Sequence, residues 1–219
     1  MLVLFDFDHT VIDCNSDTHV PDELVPSIKE DFNVLSRTVQ WTELMIKDCL
    51  KTCPMDPNMI ILFKKLVENN HNVHIISDAN SIFIETILEH YGVQSCVESI
   101  ITNPCTITKH DDGTEYLMVT KLCGDNNKHS CEQCPVNMCK GEIVERMIKE
   151  SNQPTAYVGD GSNDYCAVKK LSLTKDYIFA RRGFALQRRL EKEISGDHVI
   201  FWNDWKELLD SFTLKNIIV

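Results

Sequence analysis

LVLFDFDHTVID, from Leu2 to Asp13, is the stretch on which the reading of this chain turns. Its opening residues are apolar and β-rich, and the run is short, as expected of a strand buried on both faces. The strand leads straight into Asp6 and Asp8, with only Phe7 between them. Like charges this close repel unless a cation compensates them or one carboxyl keeps its proton. Open α/β sheets bind ligands beyond the carboxyl ends of their strands, so acids in this position point to a site.

Outward from this stretch, NVHIIS (72–77), ESIITN (98–103), TAYVGD (155–160), KDYIFA (175–180) and DHVIFW (197–202) read as further strands. Helices are expected over 56–70, 81–92, 140–151, 184–194 and 203–213. The first has Asp56 as N-cap and Pro57 at its first helical position, and the second is closed by Gly92. CTITKHDDGTEYLMV (105–119) alternates around Asp112-Gly113 and reads as a hairpin. Residues 17–53 are mixed, acidic and broken by proline, with helical pieces. The alternation of strands with helices predicts an α/β fold with an open, mostly parallel sheet flanked by helices. Ser77 and Asp160 fall at strand ends, as Asp6 does.

Composition bounds the function. The 219 residues are 43% hydrophobic and 25% charged, an ordinary globular balance. Net charge is −11, from 33 acidic against 22 basic residues, which argues against nucleic acid or an anionic membrane as partner. There is no apolar run of about 18 residues and no basic segment before the first apolar run, so a cytoplasmic protein without a membrane span is expected. In that compartment the ten cysteines are free thiols or metal ligands before they are disulfides. Cys14, Cys49, Cys53, Cys96, Cys105 and Cys166 are scattered and read as small hydrophobes.

Asp160 and Asp164, in VGDGSND, stand at another strand end. A lone Asp at such a place is readily a helix N-cap. Asp6, Asp8 and Asp160 together are more acid than stability needs, and a hard divalent cation such as Mg²⁺ accounts for them. The order DFDHT, IISD, a lysine opening a helix, then VGDGSND resembles the haloacid dehalogenase phosphatase superfamily, over residues 6–164. The resemblance implies a Rossmann-like core of residues 1–16 and 54–219, a small helical cap over 17–53 after the first strand, and a hairpin and Cys-rich insertion over 104–139. It implies that Asp6 is the nucleophile that forms a phosphoaspartyl intermediate, and Asp8 the general acid and then base. Ser77 would hydrogen-bond the phosphoryl group, and Lys140 would pair with it and with Asp6. Mg²⁺ would be held by Asp6, the Asp8 carbonyl and Asp160, with Asp164 supporting the metal waters or orienting Lys140. Thr10 and the amides around Gly161 would assist in substrate binding, with helix capping as the other reading. Lys140 is preferred to Lys121, Lys128 and Lys149 because it opens the helix before TAYVGD.

DFDHTVIDCNSDTHV, IISDANS, HSCEQCPVNMCKG and VGDGSNDYCAV together resemble the phosphoethanolamine/phosphocholine phosphatase family, which includes a pyridoxal phosphate branch. The resemblance implies that Asp17 and Asp78 receive the cationic amine of a small phosphomonoester. Their alternative is local: Asp17 capping a lid helix and Asp78 capping the helix near Ser81. Pyridoxal phosphate and phosphoserine are the competing substrates. A phosphate-receiving signalling domain is disfavoured because the Asp-x-Asp pair includes a proton donor. The lid segment is shorter than the family leads one to expect.

HSCEQCPVNMC gathers His129, Cys131, Cys134 and Cys139. Cys-x₂-Cys is a zinc spacing, and the histidine and third thiolate would complete a tetrahedron of structural Zn²⁺. Cys123 is a spare candidate. Reduced structural thiols and a Cys131–Cys134 disulfide remain open.

Overall fold

In a computed structural model, which describes residues 1–24, 42–109, 115–124, 128–194 and 196–219, the apolar run at the N-terminus is strand β1 (Leu2–Phe5). It is followed by α1 (Ser16–Leu24), α2 (Glu43–Leu50), α3 (Pro57–Glu68), β2 (Asn72–Asn80), α4 (Ser81–His90) and β3 (Ser99–Asn103). Then come β4 (Cys105–Lys109), β5 (Glu115–Val119), α5 (Lys140–Ser151), β6 (Thr155–Gly159) and α6 (Tyr165–Val168). The chain closes with β7 (Tyr177–Arg181), α7 (Ala185–Glu193), β8 (Val199–Trp202) and α8 (Trp205–Leu214).

Six of the strands form one sheet, in the order β3-β2-β1-β6-β7-β8, and every pairing in it is parallel. Parallel strands are covered on both faces, and β1 shows why its sequence is apolar throughout. Val3 and Phe5 point into one core layer with Phe63 of α3, Phe83 of α4 and Phe212 of α8. Leu2 and Leu4 point into the other with Val144 of α5, Val168 of α6 and Leu190 of α7. The Phe5 and Phe63 rings meet edge to face, with centroids 5.2 Å apart. Each such fully buried side chain contributes about 1.5–3 kcal/mol.

The expected helix signals operate. Asp56 caps α3 by accepting from the Asn58 amide at 2.8 Å, and Pro57 occupies the first turn. The helix expected over 81–92 ends at His90, because Gly92 takes the left-handed turn (φ 65°) that stops it. Strand β2 runs past Ser77 to Asn80, with a register shift against β3 between Ile76 and Asn80. That bulge is held by β3: Asn103 Nδ2 donates to the carbonyls of Asp78 (2.6 Å) and Ala79 (3.0 Å), and Thr102 Oγ1 to that of Ala79 (2.9 Å).

From β1 the chain moves outward to β2 and β3, then returns to the opposite side of β1 to lay down β6, β7 and β8. The winding therefore reverses between β1 and β6, and the crevice at their carboxyl ends is the natural site of such a sheet. The helices α1 and α2 are inserted after β1, and α1 is tied to the turn that follows α2 where His19 Nε2 meets Thr52 Oγ1 at 2.8 Å. Most of the rest of the expected cap, 25–41, lies outside the described residues. Strands β4 and β5 pair as a separate antiparallel ribbon, as the alternation predicts, and the Asp112-Gly113 turn lies outside the described residues. The ribbon is joined to α2, since the Glu43 amide donates to Glu115 Oε2 at 2.8 Å. No helix among the described residues is long and apolar enough to cross a membrane.

Candidate active site

The loop after β1 is wound tightly on one carbonyl. The amides of Thr10, Val11 and Ile12 approach Phe7 O at 3.2, 2.7 and 3.2 Å, and His9 takes a left-handed conformation (φ 54°) to allow it. Asp6 stands at the mouth, bound to β6 through its amide and Val158 O at 2.9 Å. Its Oδ1 accepts from the Phe7 amide at 2.8 Å and from Lys140 Nζ at 2.7 Å. Its Oδ2 accepts no hydrogen bond among the described residues, so one carboxylate oxygen is left for chemistry.

Lys140 is the first residue of α5 and is 1% exposed. A lysine is rarely buried unless it is paired, and here Nζ bridges Asp6 Oδ1 and Asp164 Oδ1, the latter at 2.8 Å. Burial alone would lower its pKa, but the charges of Asp164, Asp6 and Asp78 outweigh burial and hold it above the ordinary lysine value. Lys140 is therefore a fixed cation facing Asp6, which singles it out from Lys121, Lys128 and Lys149.

Asp164 has both oxygens engaged. Oδ1 accepts from Lys140 and from Tyr157 Oη at 2.7 Å; Oδ2 accepts from the amides of Asp160 at 3.0 Å and Gly161 at 2.8 Å. This carboxylate organises its neighbours, and of the two roles expected for it the geometry supports the orienting of Lys140. Gly159 makes room for it: a Cβ there would stand 2.5 Å from Asp164 Oδ2.

The Asp6, Asp160 and Asp164 carboxylates lie within 4.8 Å of one another, all buried. Burial, then repulsion from Asp164, push Asp160 up to about 7. Burial and the same neighbour push Asp6 well above the usual carboxylate range, against the pull of Lys140. Three buried acids against one buried lysine leave an excess of negative charge, which a hard divalent cation bound by oxygen ligands relieves. The donor set therefore fits Mg²⁺, with Asp6 and Asp160 as the carboxylates still able to bind it.

Asp8 accepts from the Ser16 amide at 2.9 Å. Burial, then the charge of Asp17, raise its pKa to about 7, with a smaller push from Asp78. Asp17 and Asp78 thus both act on the general-acid candidate, from α1 and from the β2 bulge. The cap of α4 is Asn80 rather than Asp78, since Asn80 accepts from the Phe83 amide at 3.1 Å; at the start of α1, Asn15 Oδ1 takes the Thr18 amide at 3.1 Å. Ser77 is fully buried, and its Oγ accepts from the Ala79 amide at 3.2 Å, leaving the hydroxyl proton to donate elsewhere.

Thr10 Oγ1 donates to Asp160 Oδ1 at 2.9 Å, and the Gly161 amide donates to Asp164 Oδ2. Both hold carboxylates of the site in place. In the cysteine cluster, His129 Nε2 lies against Pro135 O at 2.8 Å, and the fourth group drawn to Cys131, Cys134 and Cys139 is Cys166, read from sequence as a small hydrophobe. None of these thiols is in a disulfide.

Arg181 was not found from sequence. It ends β7, donates to His9 O at 2.6 Å and to Asp13 Oδ1 at 2.8 Å, and packs 4.4 Å from the Trp205 ring. Trp205 Nε1 in turn donates to Thr10 O at 2.7 Å. Together they clamp the Asp6–Asp13 loop. Its position at a strand's carboxyl end was a signal, but the adjacent Arg182 made it ambiguous.

The chain is similar to known proteins along most of its length. The family described as "Putative Phosphatase" matches residues 1–215. The chain is 31% identical to Pyridoxal phosphate phosphatase PHOSPHO2 of Bos taurus over 247 aligned positions, covering 95% of each chain. It is 37% identical to Inorganic pyrophosphatase 1 of Arabidopsis thaliana, covering 82% of this chain and 66% of that one. A substrate-bound phosphoserine phosphatase shares the fold at 20% identity, with a TM-score of 0.63 over 96% of this chain and 97% of that one. The chain belongs to this phosphatase family of the haloacid dehalogenase superfamily, and it is a phosphoric monoester hydrolase.

Proposed function

We propose that the chain hydrolyses a small phosphomonoester bearing a cationic nitrogen, phosphoethanolamine or phosphocholine in type, through a phosphoaspartyl intermediate on Asp6. The observation that carries the chemistry is the buried Asp6–Lys140–Asp164 bridge, which fixes one oxygen of Asp6 and leaves the other open. Asp6 Oδ2 attacks phosphorus in line while the bond from phosphorus to the leaving oxygen breaks. Asp8, protonated near neutrality, gives its proton to that oxygen. It then takes one from the water that attacks the phosphoaspartate, releasing inorganic phosphate and restoring Asp6. Lys140 and Ser77 hold the equatorial oxygens of the phosphoryl group, so positioning and charge supply most of the rate. Asp6 and Asp160, with the Asp8 carbonyl, would hold Mg²⁺, which would neutralise phosphate charge facing Asp6.

The substrate class rests on Asp17 and Asp78. Both act on Asp8, the residue that meets the leaving group, and the cap of α4 is Asn80 rather than Asp78. Acids at the leaving-group end favour a leaving group that carries positive charge. Pyridoxal phosphate is the second reading, favoured by the name of the bovine relative aligned over 95% of both chains. Phosphate release with Mg²⁺ is to be compared across phosphoethanolamine, phosphocholine, pyridoxal phosphate, phosphoserine, pyrophosphate and a neutral alkyl phosphate. The two cationic esters are expected to lead in kcat/KM. A lead for pyridoxal phosphate selects the second reading, and equal rates for the neutral ester remove the cationic one.

A further inference from the structure

We infer that Cys131, Cys134, Cys139 and Cys166 form a structural zinc site that staples the insertion before α5 to the catalytic core. The four sulfurs lie within 4.8 Å of one another. Cys166 Sγ is 3.6 Å from Cys131 Sγ and 3.9 Å from Cys139 Sγ. Zinc–sulfur bonds of about 2.3 Å place tetrahedral thiolates roughly 3.8 Å apart, so the spacing is that of a closed four-thiolate site.

The surroundings are built for thiolates. The Glu142 amide donates to Cys139 Sγ at 3.5 Å. An amide aimed at a sulfur orients a metal-binding thiolate and disperses its charge. Gly141 admits the fourth ligand, because a Cβ there would collide with Cys166 Sγ and stand 2.8 Å from Cys166 O.

The insertion also needs a staple. Among its described residues from 120 to 139, only Met138 and Cys139 are buried, and none is in a helix or strand. A segment of this length with almost no core of its own calls for another source of order. The ligands come from that loop, from the N-cap of α5 and from the start of α6. Cys139 immediately precedes Lys140, and Cys166 lies two residues beyond Asp164. A single ion thus anchors both halves of the Lys140–Asp164 pair from behind, and binding releases the thiol protons to solvent.

The test is elemental analysis of the full chain purified under reducing conditions without chelator, with Co²⁺ replacement as a spectroscopic count of thiolates. About one zinc per chain is expected, with cobalt giving the intense sulfur charge-transfer bands of a four-thiolate site. Cys166→Ser is expected to lose the metal to a mild chelator and to lower the melting temperature, and His129→Ala to retain both. Should Cys166→Ser fold too poorly to assay, the cobalt spectrum of the unmutated chain decides by its thiolate count. Metal-free protein that takes up no cobalt, a Cys131–Cys134 disulfide found by alkylation and mass spectrometry, iron in place of zinc, or loss of zinc on His129→Ala would each overturn the assignment.

Discussion

Asp6 and Asp8 are two residues apart, and their surroundings give them different tasks. Lys140 and the Phe7 amide hold one oxygen of Asp6, so the open oxygen is aimed and its ionised form is supported from one side. Among the described residues no cation pairs with Asp8; burial and the charge of Asp17 raise it to about 7, where it can hold a proton for a leaving group. Asp6→Asn is expected to cut steady-state phosphate release by a factor on the order of 10⁴ or more, because an amide does not attack phosphorus. The melting temperature should hold, since the change removes charge from an acid-rich site. Retention of a tenth of the activity, with deamidation excluded by mass spectrometry, would rule Asp6 out as nucleophile. Asp78 poses the question of specificity. A desolvated charge contact is worth about 2–5 kcal/mol when truncated, so Asp78→Asn should lower kcat/KM for phosphoethanolamine or phosphocholine by tenfold or more. A neutral alkyl phosphate of similar size should change little, and parallel losses on both kinds of ester would make Asp78 structural.

Strands β6 and β2 show how an element positions a site by its end. Strand β6 ends at Gly159, where the Asp164 carboxylate occupies the space that a side chain would take. Gly159→Ala must displace either the strand end or that carboxylate, at a cost of about 1–3 kcal/mol. A lowered melting temperature together with a fall in kcat is expected, since Lys140 loses its second partner; wild-type values for both would show that the contact is slack. On β2, His74 pairs across to β3, its Nδ1 at 2.7 Å from Ser99 Oγ. Burial lowers its pKa, with Glu98 opposing from an exposed position. The folded chain therefore holds this proton less tightly than the unfolded one. Stability from neutral His74 is present above the unfolded value of about 6.5 and is lost as pH falls through it toward the folded value. Melting temperatures of the unmutated chain should drop more steeply than those of His74→Gln between about pH 8 and pH 5. Matching slopes would assign the acid sensitivity to other groups.

Across the whole molecule, the sheet brings acids from distant parts of the chain into one crevice, and this has a thermodynamic signature. Asp6, Asp160 and Asp164 repel in the absence of metal, so Mg²⁺ binding to the folded state should raise the melting temperature. Saturation at about 100 times the dissociation constant corresponds to about 2.7 kcal/mol. Asp160→Asn should abolish this shift while leaving the metal-free protein as stable as the unmutated chain or more so, because a buried repulsion is removed. A shift that survives in Asp160→Asn would place the ion elsewhere.

The apolar strands, the caps at Asp56 and the turn at Gly92, and the acids at strand ends were all legible in residue order. Periodicity, capping and strand-end chemistry are local properties that neighbouring residues carry by themselves. The lysine that the fold pairs with Asp6 was legible as well, through the helix it opens. What residue order did not carry was partnership. That Thr10 donates to Asp160 and the Gly161 amide to Asp164 follows from the fold and from no local pattern. Arg181 reached back 172 positions to His9, a contact that no local pattern encodes. Cys166 looked like a spare hydrophobe because its companions lie 27 to 35 positions away, brought together by the docking of α5 against α6. A buried polar group must find a partner, but which partner depends on where the sheet's winding reverses and which helices it packs together.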